Sequence, residues 1–396
     1  APRPLEQYGP APKTWFRTDN PALPLAAQVG NVPKSTTAYD EGITTLTGTY
    51  WDNQNMSGPP KFHSTGLLRT DGTVTGDGTI NVDWGLGAPQ GLTNGDNFSL
   101  TLTGDIVFRG AGNNIIKTVS HSATRVWIDD TLVVDAWDKE VINTNELITT
   151  SGTFNEPTAG THRRIKVALK EGTWGGSLQL HNDLGAQTGL VPGSAMNPRY
   201  GLATTKVDPD LKKTRTAYSN AAGIGPHFGL ATSSTVDPDG LALTKTTSYE
   251  APGVKYLRPT GSTLPAGAGS ATVKEYWGDT ETASNECTGN KAGNQGGRLR
   301  YDTSADPDGA GPIAPIRIET VYDKAGRPVG TRRNQGATVD GWTCTTYDAR
   351  GRVAQVAYPA WGSTPARTVT NDYAVWTDST MSSITDPTGT IYTRVD

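Results

Sequence analysis

The chain has 396 residues, a formal net charge of −4 and a hydrophobic fraction of 34%, so two or three domains are expected in place of one core. A mildly acidic balance leaves no electrostatic footprint for nucleic acid or an anionic membrane surface, and no apolar run approaches a membrane span. Forty-seven glycines and 26 prolines spread along the chain, with no long helical apolar period, point to an all-β fold of short strands joined by many turns.

Residues 1–45 mix proline-rich turns with Tyr8-Gly9-Pro10, Trp15-Phe16 and Tyr39-Asp40-Glu41-Gly42. Ala1-Pro2-Arg3-Pro4 is not a signal peptide, so an export signal would lie outside these residues. Tyr39 to Gly42 reads as a worn copy of a turn unit that recurs later. The segment is then either the start of a repeat sheet interrupted by an insertion or an extended strap. Residues 46–185 hold Trp51, Trp84, Trp127, Trp137 and Trp174, half of the ten tryptophans. Here Arg125 to Ile128 and Leu132 to Val134 alternate around Asp129-Asp130, which predicts a hairpin with one buried face. Ile165 to Leu169, a Gly175-Gly176 break and Ser177 to Leu180 predict a second. A two-sheet sandwich of this length folds independently.

Residues 186–198 are small and turn-forming without a period, which predicts a linker. From residue 199 to 396 hairpin units follow one another. The clearest are Tyr322-Asp323-Lys324-Ala325-Gly326-Arg327 and Tyr347-Asp348-Ala349-Arg350-Gly351-Arg352. In each, the glycine can take a positive φ, the aspartate can accept from turn amides, and the tyrosine is large enough to brace a neighbouring strand. Tyr200 to Ser219 is echoed by Phe228 to Tyr249, which marks an internal repeat, and Thr393 to Asp396 copies the approach to the earlier Val-Asp turns. One such unit cannot stand alone. Stacked units pair their edges into a long, twisting, curved antiparallel sheet.

On the Tyr-Asp-x-x-Gly-Arg units at Tyr322 and Tyr347, residues 199–396 resemble the YD-repeat or Rhs family. That family includes polymorphic bacterial toxins, insecticidal toxin-complex components and the teneurin barrel. The resemblance implies an arc of a spiral β-shell around a carboxy-terminal effector, and hence a secreted or surface-displayed, non-catalytic segment whose partners are further repeats and that effector. The ordered signposts Leu46 to Asn53, Ile80 to Trp84, Asp96 to Leu100, Arg125 to Trp137 and Thr158 to Val167 resemble the protective-antigen-type lectin-like domain. This implies a recognition module for a cell-surface glycan or protein. Two alternatives are an adhesin with the repeats as stalk, and an accessory domain of a glycan-cleaving enzyme.

Glycan-binding members of that family hold calcium on two neighbouring aspartates just before the arginine that corresponds to Arg125. Here Ser120-His121-Ser122 stand in their place, poor ligands for a hard cation. The resemblance therefore implies no cofactor at that site. Asp129-Asp130 is the adjacent pair left for calcium, although turn aspartates ordinarily satisfy backbone amides. His121 and Ser122 lie where the family's binding loops gather, and Trp137 and Trp174 are the aromatic faces able to stack on a sugar, although core packing explains them equally well. His63, His121, His162, His181 and His227 are scattered without zinc spacing, and there is no Gly-x-Ser-x-Gly elbow, phosphate loop or dinucleotide fingerprint. Cys287 and Cys344 fall in different repeats: a bridge between adjacent hairpins and two unpaired strand thiols both fit.

Overall fold

A computed structural model of the chain describes residues 5–93, 95–139, 147–219, 228–251, 256–309, 311–375 and 380–394. Val395, Asp396 and His227 lie outside them. The all-β class is observed: the only helices among the described residues are three-residue 3-10 turns, and none could cross a membrane. The chain divides into two compact units, Ala1–Ala242 and Leu243–Asp396.

The first unit contains a sandwich. One sheet runs Phe62–Thr65, Thr47–Trp51, Ser99–Val107, His162–Lys170, Ala123–Ile128, Thr131–Ala136, and the other Ile148–Glu156, Gly112–Ser120, Gly176–Asp183, Asn81–Gly85. Alternation decides which face is buried. In Ala123–Ile128, Thr124, Val126 and Ile128 are buried while Arg125 and Trp127 stay partly exposed. Leu100, Leu102, Ile116, Val167, Leu169, Leu178 and Leu180 complete one continuous core, with Trp84 set edge-on against Phe98. Tyr50 is wholly buried and its hydroxyl is satisfied on three sides: Ser64 Oγ at 3.0 Å, the Gly66 carbonyl at 3.3 Å and the Leu68 N–H at 3.0 Å. Burial pushes its hydroxyl up to about 12.

Residues 186–198 do not form the expected linker. Val191 and Met196 are 1% and 3% exposed, the Val191 N–H donates to the Leu180 carbonyl, and Met196–Asn197 pairs with Ile106 and Asp105. Two isolated apolar side chains separated by turn residues carry no period, yet each fills a gap at the sandwich edge.

Lys34–Tyr39, before the sandwich, pairs directly with Ala203–Val207, after it, and Lys213–Tyr218 and Ala231–Val236 continue that ladder. The sandwich is thus inserted between two neighbouring strands. Asp40 closes the junction, its carboxylate accepting the N–H groups of Gly201 and Leu202 at 2.9 and 2.8 Å.

The second unit is an antiparallel ladder running from Leu243–Tyr249 through Pro259–Thr263, Thr272–Tyr276, Leu299–Thr303, Ile316–Tyr322, Pro328–Gln335, Thr343–Tyr347, Val353–Tyr358, Arg367–Asp372 and Met381–Asp386 to Gly389–Arg394. Its apolar core is small: Trp277, Val321 and Val329, with Tyr322, Trp342 and Tyr347 against them. Other contacts therefore hold it. The turns at Asp323 and Asp348 are copies of each other. One carboxylate oxygen accepts two turn amides and the other takes the Nε–H of Arg327 or Arg352. Gly326 and Gly351 supply φ of 82° and 80°.

The arginine then reaches the next hairpin. Arg258, Arg298, Arg327 and Arg352 lie over the rings of Tyr276, Tyr322, Tyr347 and Tyr373 at 4.0, 5.7, 4.5 and 4.1 Å. Each of those hydroxyls donates to the carbonyl of the residue following its arginine, Pro259, Leu299, Pro328 or Val353, at 2.7–3.0 Å. Among the described residues this clasp occurs four times and ties successive hairpins together where little apolar area can. Between two of its copies, residues 277–298 form an excursion pinned back onto the ladder. Trp277 Nε1 donates to the Thr320 carbonyl, Gln295 exchanges two bonds with the Tyr322 backbone, and Cys287 is disulfide-bonded to Cys344.

Candidate functional site

Two loops of the sandwich meet at one end of the sheet that carries Asn81–Gly85 and Gly176–Asp183. Gly176 pairs with Gly85, and Gly175, at φ 93°, comes so near that a Cβ there would stand 2.3 Å from the Gly85 carbonyl oxygen. Only glycine permits that approach. It brings Trp174 and Leu86, 55% and 78% exposed, to one cavity. Below them Trp84 anchors the first loop by donating from Nε1 to the Leu68 carbonyl at 2.8 Å.

Gly85, Leu86 and Trp174 border a cavity of about 440 Å³ also lined by Asp83, His121, Leu147, Ser177 and Gln179. His121 follows the end of Gly112–Ser120, where the chain crosses to the other sheet. Its backbone N–H donates to Ser177 Oγ at 3.0 Å and its Nδ1 lies 3.2 Å from the same oxygen. Its Nε2 is buried with no partner, as is the hydroxyl of the adjacent Ser122. Buried polar atoms without partners are uncommon and mark places where something else completes the bonding. The cavity thus offers an indole face, a carboxylate, an amide and an imidazole, a set suited to a polyhydroxylated ligand.

The structure brings His121 and Trp174 together and sets the other candidates apart. Trp137 lies outside the cavity, flanked by Arg125 at 5.1 Å and Lys170 at 5.3 Å, with Arg125 held by Asp135. Its ring is already engaged by two cations. Asp129 and Asp130 form the hairpin turn with φ of 45° and 69°. Asp129 accepts from the Arg164 N–H and from Arg163, and Asp130 from Arg164. With Arg163, Arg164 and the nearby Lys166 as neighbours, these carboxylates face cations that would repel calcium. No group of three or more His, Cys, Asp or Glu side chains placed to hold a metal occurs among the described residues. His181 is held below the usual histidine range by burial and by Lys117. Of the residues not foreseen, Asp83 had a signal in the sequence, because it alternates with the apolar Val82 and Trp84 and so faces outward, whereas Leu86, just past that strand, had none.

Residues 42–195 match the family described as PA14 domain. A curated relative, the anti-sigma-I factor RsgI3 of Acetivibrio thermocellus, is 23% identical over 158 residues, which are 39% of this chain and 22% of that protein, so the match spans about a fifth of the relative's length. Among solved structures, an anti-sigma factor domain-containing protein from Clostridium clariflavum is 16% identical, with a TM-score of 0.32, covering 55% of this chain and 71% of the other. A PA14 sugar-binding domain from an RTX adhesin is 13% identical, with a TM-score of 0.29, covering 39% and 99%. The inserted sandwich, residues 42–195, is therefore a PA14 domain.

Proposed function

We propose that the PA14 sandwich is a calcium-independent glycan-recognition module displayed on a non-catalytic hairpin scaffold of an extracellular protein. The observation that carries this is the cavity in which exposed Trp174 stands beside the unpartnered Nε2 of His121. An indole face stacks on the apolar side of a pyranose, and the polar atoms beside it take the ring hydroxyls. The Ser120-His121-Ser122 sequence and the arginine-paired Asp129 and Asp130 support recognition without calcium. The test is binding of the whole chain to a glycan array in the presence of a chelator. Signals that persist in chelator and vanish in Trp174→Ala support the proposal, and signals that require calcium or survive that change reject it.

For the ladder we propose the scaffold role of a YD-repeat shell, supported by the fourfold tyrosine-arginine clasp. Its partners would be further repeats of its own chain and a carboxy-terminal effector. An adhesin with the ladder as stalk uses the same cavity. Sequencing the gene past residue 396 separates the two, because a toxin-like domain belongs to the shell and a surface anchor to the adhesin. Absence of hydrolysis across a polysaccharide panel is the expected outcome for either, and turnover of any member would favour the accessory-enzyme alternative.

A further inference from the structure

The ladder of the second unit carries a cleft of about 700 Å³, within the size range of small-molecule sites. Its floor includes Ile318 and Thr331, and its walls come from residues 336–342 and 359–366, loops on two successive hairpins. Trp361 projects from one wall at 60% exposure with Tyr358 beside it at 37%. Each aromatic ring has a guanidinium: Arg333 lies 5.6 Å from Trp361 and Arg367 lies 4.9 Å from Tyr358.

The two cations differ in how far they are satisfied. Arg333 Nη2 donates to Gln335 Oε1 and the Asp340 carboxylate stands 4.0 Å from Nη1, which leaves only its buried Nε without an acceptor. Among the described residues Arg367 has only the Tyr358 ring as a direct contact, with the Asp386 charge farther off. A guanidinium open on its fork side takes a carboxylate bidentately, whereas a neutral sugar leaves it unpaired. The floor strands are paired on both sides, so no backbone edge is open for adding a peptide strand.

We propose that this cleft binds a carboxylate-bearing saccharide unit of the uronate class, its ring stacked on Trp361 and its carboxylate taken by the guanidinium fork of Arg367. The site is separate from the PA14 cavity and does not depend on the function proposed for it. The test is calorimetry on the full chain with trigalacturonate, a glucuronate-containing oligosaccharide and the methyl ester of trigalacturonate. At least one acidic probe binds, its ester binds at least tenfold more weakly, and Trp361→Ala or Arg367→Gln each lowers affinity at least tenfold. Both side chains are at the surface, and unchanged melting confirms that each variant is folded. Arg367→Lys, which keeps the charge and loses the fork, recovers only part of the affinity. No binding by either acid, equal binding of the ester, or unchanged binding in both variants overturns the proposal. Loss of binding in Trp174→Ala with retention in Trp361→Ala would assign the saccharide to the PA14 cavity and likewise overturn it.

Discussion

Replacing Asp323 tests whether the ladder is held by its turns and clasps more than by a core. Asp323 Oδ1 accepts the N–H groups of Ala325 and Arg327, both at 2.9 Å, and Oδ2 accepts Arg327 Nε at 2.7 Å. Its side chain is 22% exposed, so water recovers part of what is lost. At roughly 1 kcal/mol per bond after that discount, Asp323→Ala should cost about 2–3 kcal/mol. Asp323→Asn retains an acceptor for the amides and should cost about 1 kcal/mol. In a unit of this size that is a fall in Tm of about 4–12 °C for alanine and about 2–4 °C for asparagine.

The pH dependence follows from the same contacts. Partial burial opposes ionisation, but the backbone N–H and then the guanidinium of Arg327 outweigh it, and the carboxyl is held below its ordinary 3.8. A carboxylate depressed in the folded state contributes its full stability above that ordinary value and loses it as pH falls through the depressed one. The gap between native protein and Asp323→Asn should thus be constant from pH 7 to pH 5 and narrow below about pH 4. Calorimetry resolving the two units supplies the readout. A loss under about 0.5 kcal/mol for alanine, or a gap that widens in acid, would refute the view that these turns carry the ladder.

Cys287 and Cys344 close a loop of 57 residues; reduction, or Cys287→Ser with Cys344→Ser, should cost up to about 4 kcal/mol. The expected signature in a thermal scan is a lowered transition for the second unit with the sandwich transition unmoved. Tyr50→Phe leaves the Leu68 N–H without its acceptor in a dry core and should cost about 1–3 kcal/mol. Because the Tyr50 hydroxyl is raised from 10.0 to about 12 in the fold, its stability contribution is complete below pH 10 and is lost as pH climbs toward 12. An alkaline denaturation series should show that loss in the native protein and less of it in Tyr50→Phe. Gly175→Ala forces a Cβ against the Gly85 carbonyl and should separate Leu86 from Trp174. Glycan binding then falls more than melting temperature does, and equal affinity in the alanine variant would show that the close approach does not shape the cavity.

Much about this protein could be taken from local spacing. Period-two alternation around Asp129-Asp130 marks a hairpin whatever lies beside it, because successive strand side chains must face opposite ways. An aspartate, a glycine and an arginine at fixed offsets define the turn at Gly326 and again at Gly351 because their contacts close within five residues. The family resemblance of residues 46–185 likewise sits in ordered local motifs. Tertiary structure decided what depends on distant partners. That Trp174 joins His121 while Trp137 is taken up between Arg125 and Lys170 follows from which loops the two sheets bring together at their ends. Val191 and Met196 look like linker residues until the edge of the sandwich supplies the gap they fill. The pairing of Cys287 with Cys344, and of each arginine with the tyrosine of the following hairpin, needed the ladder's register, which sets residues tens of positions apart within contact distance.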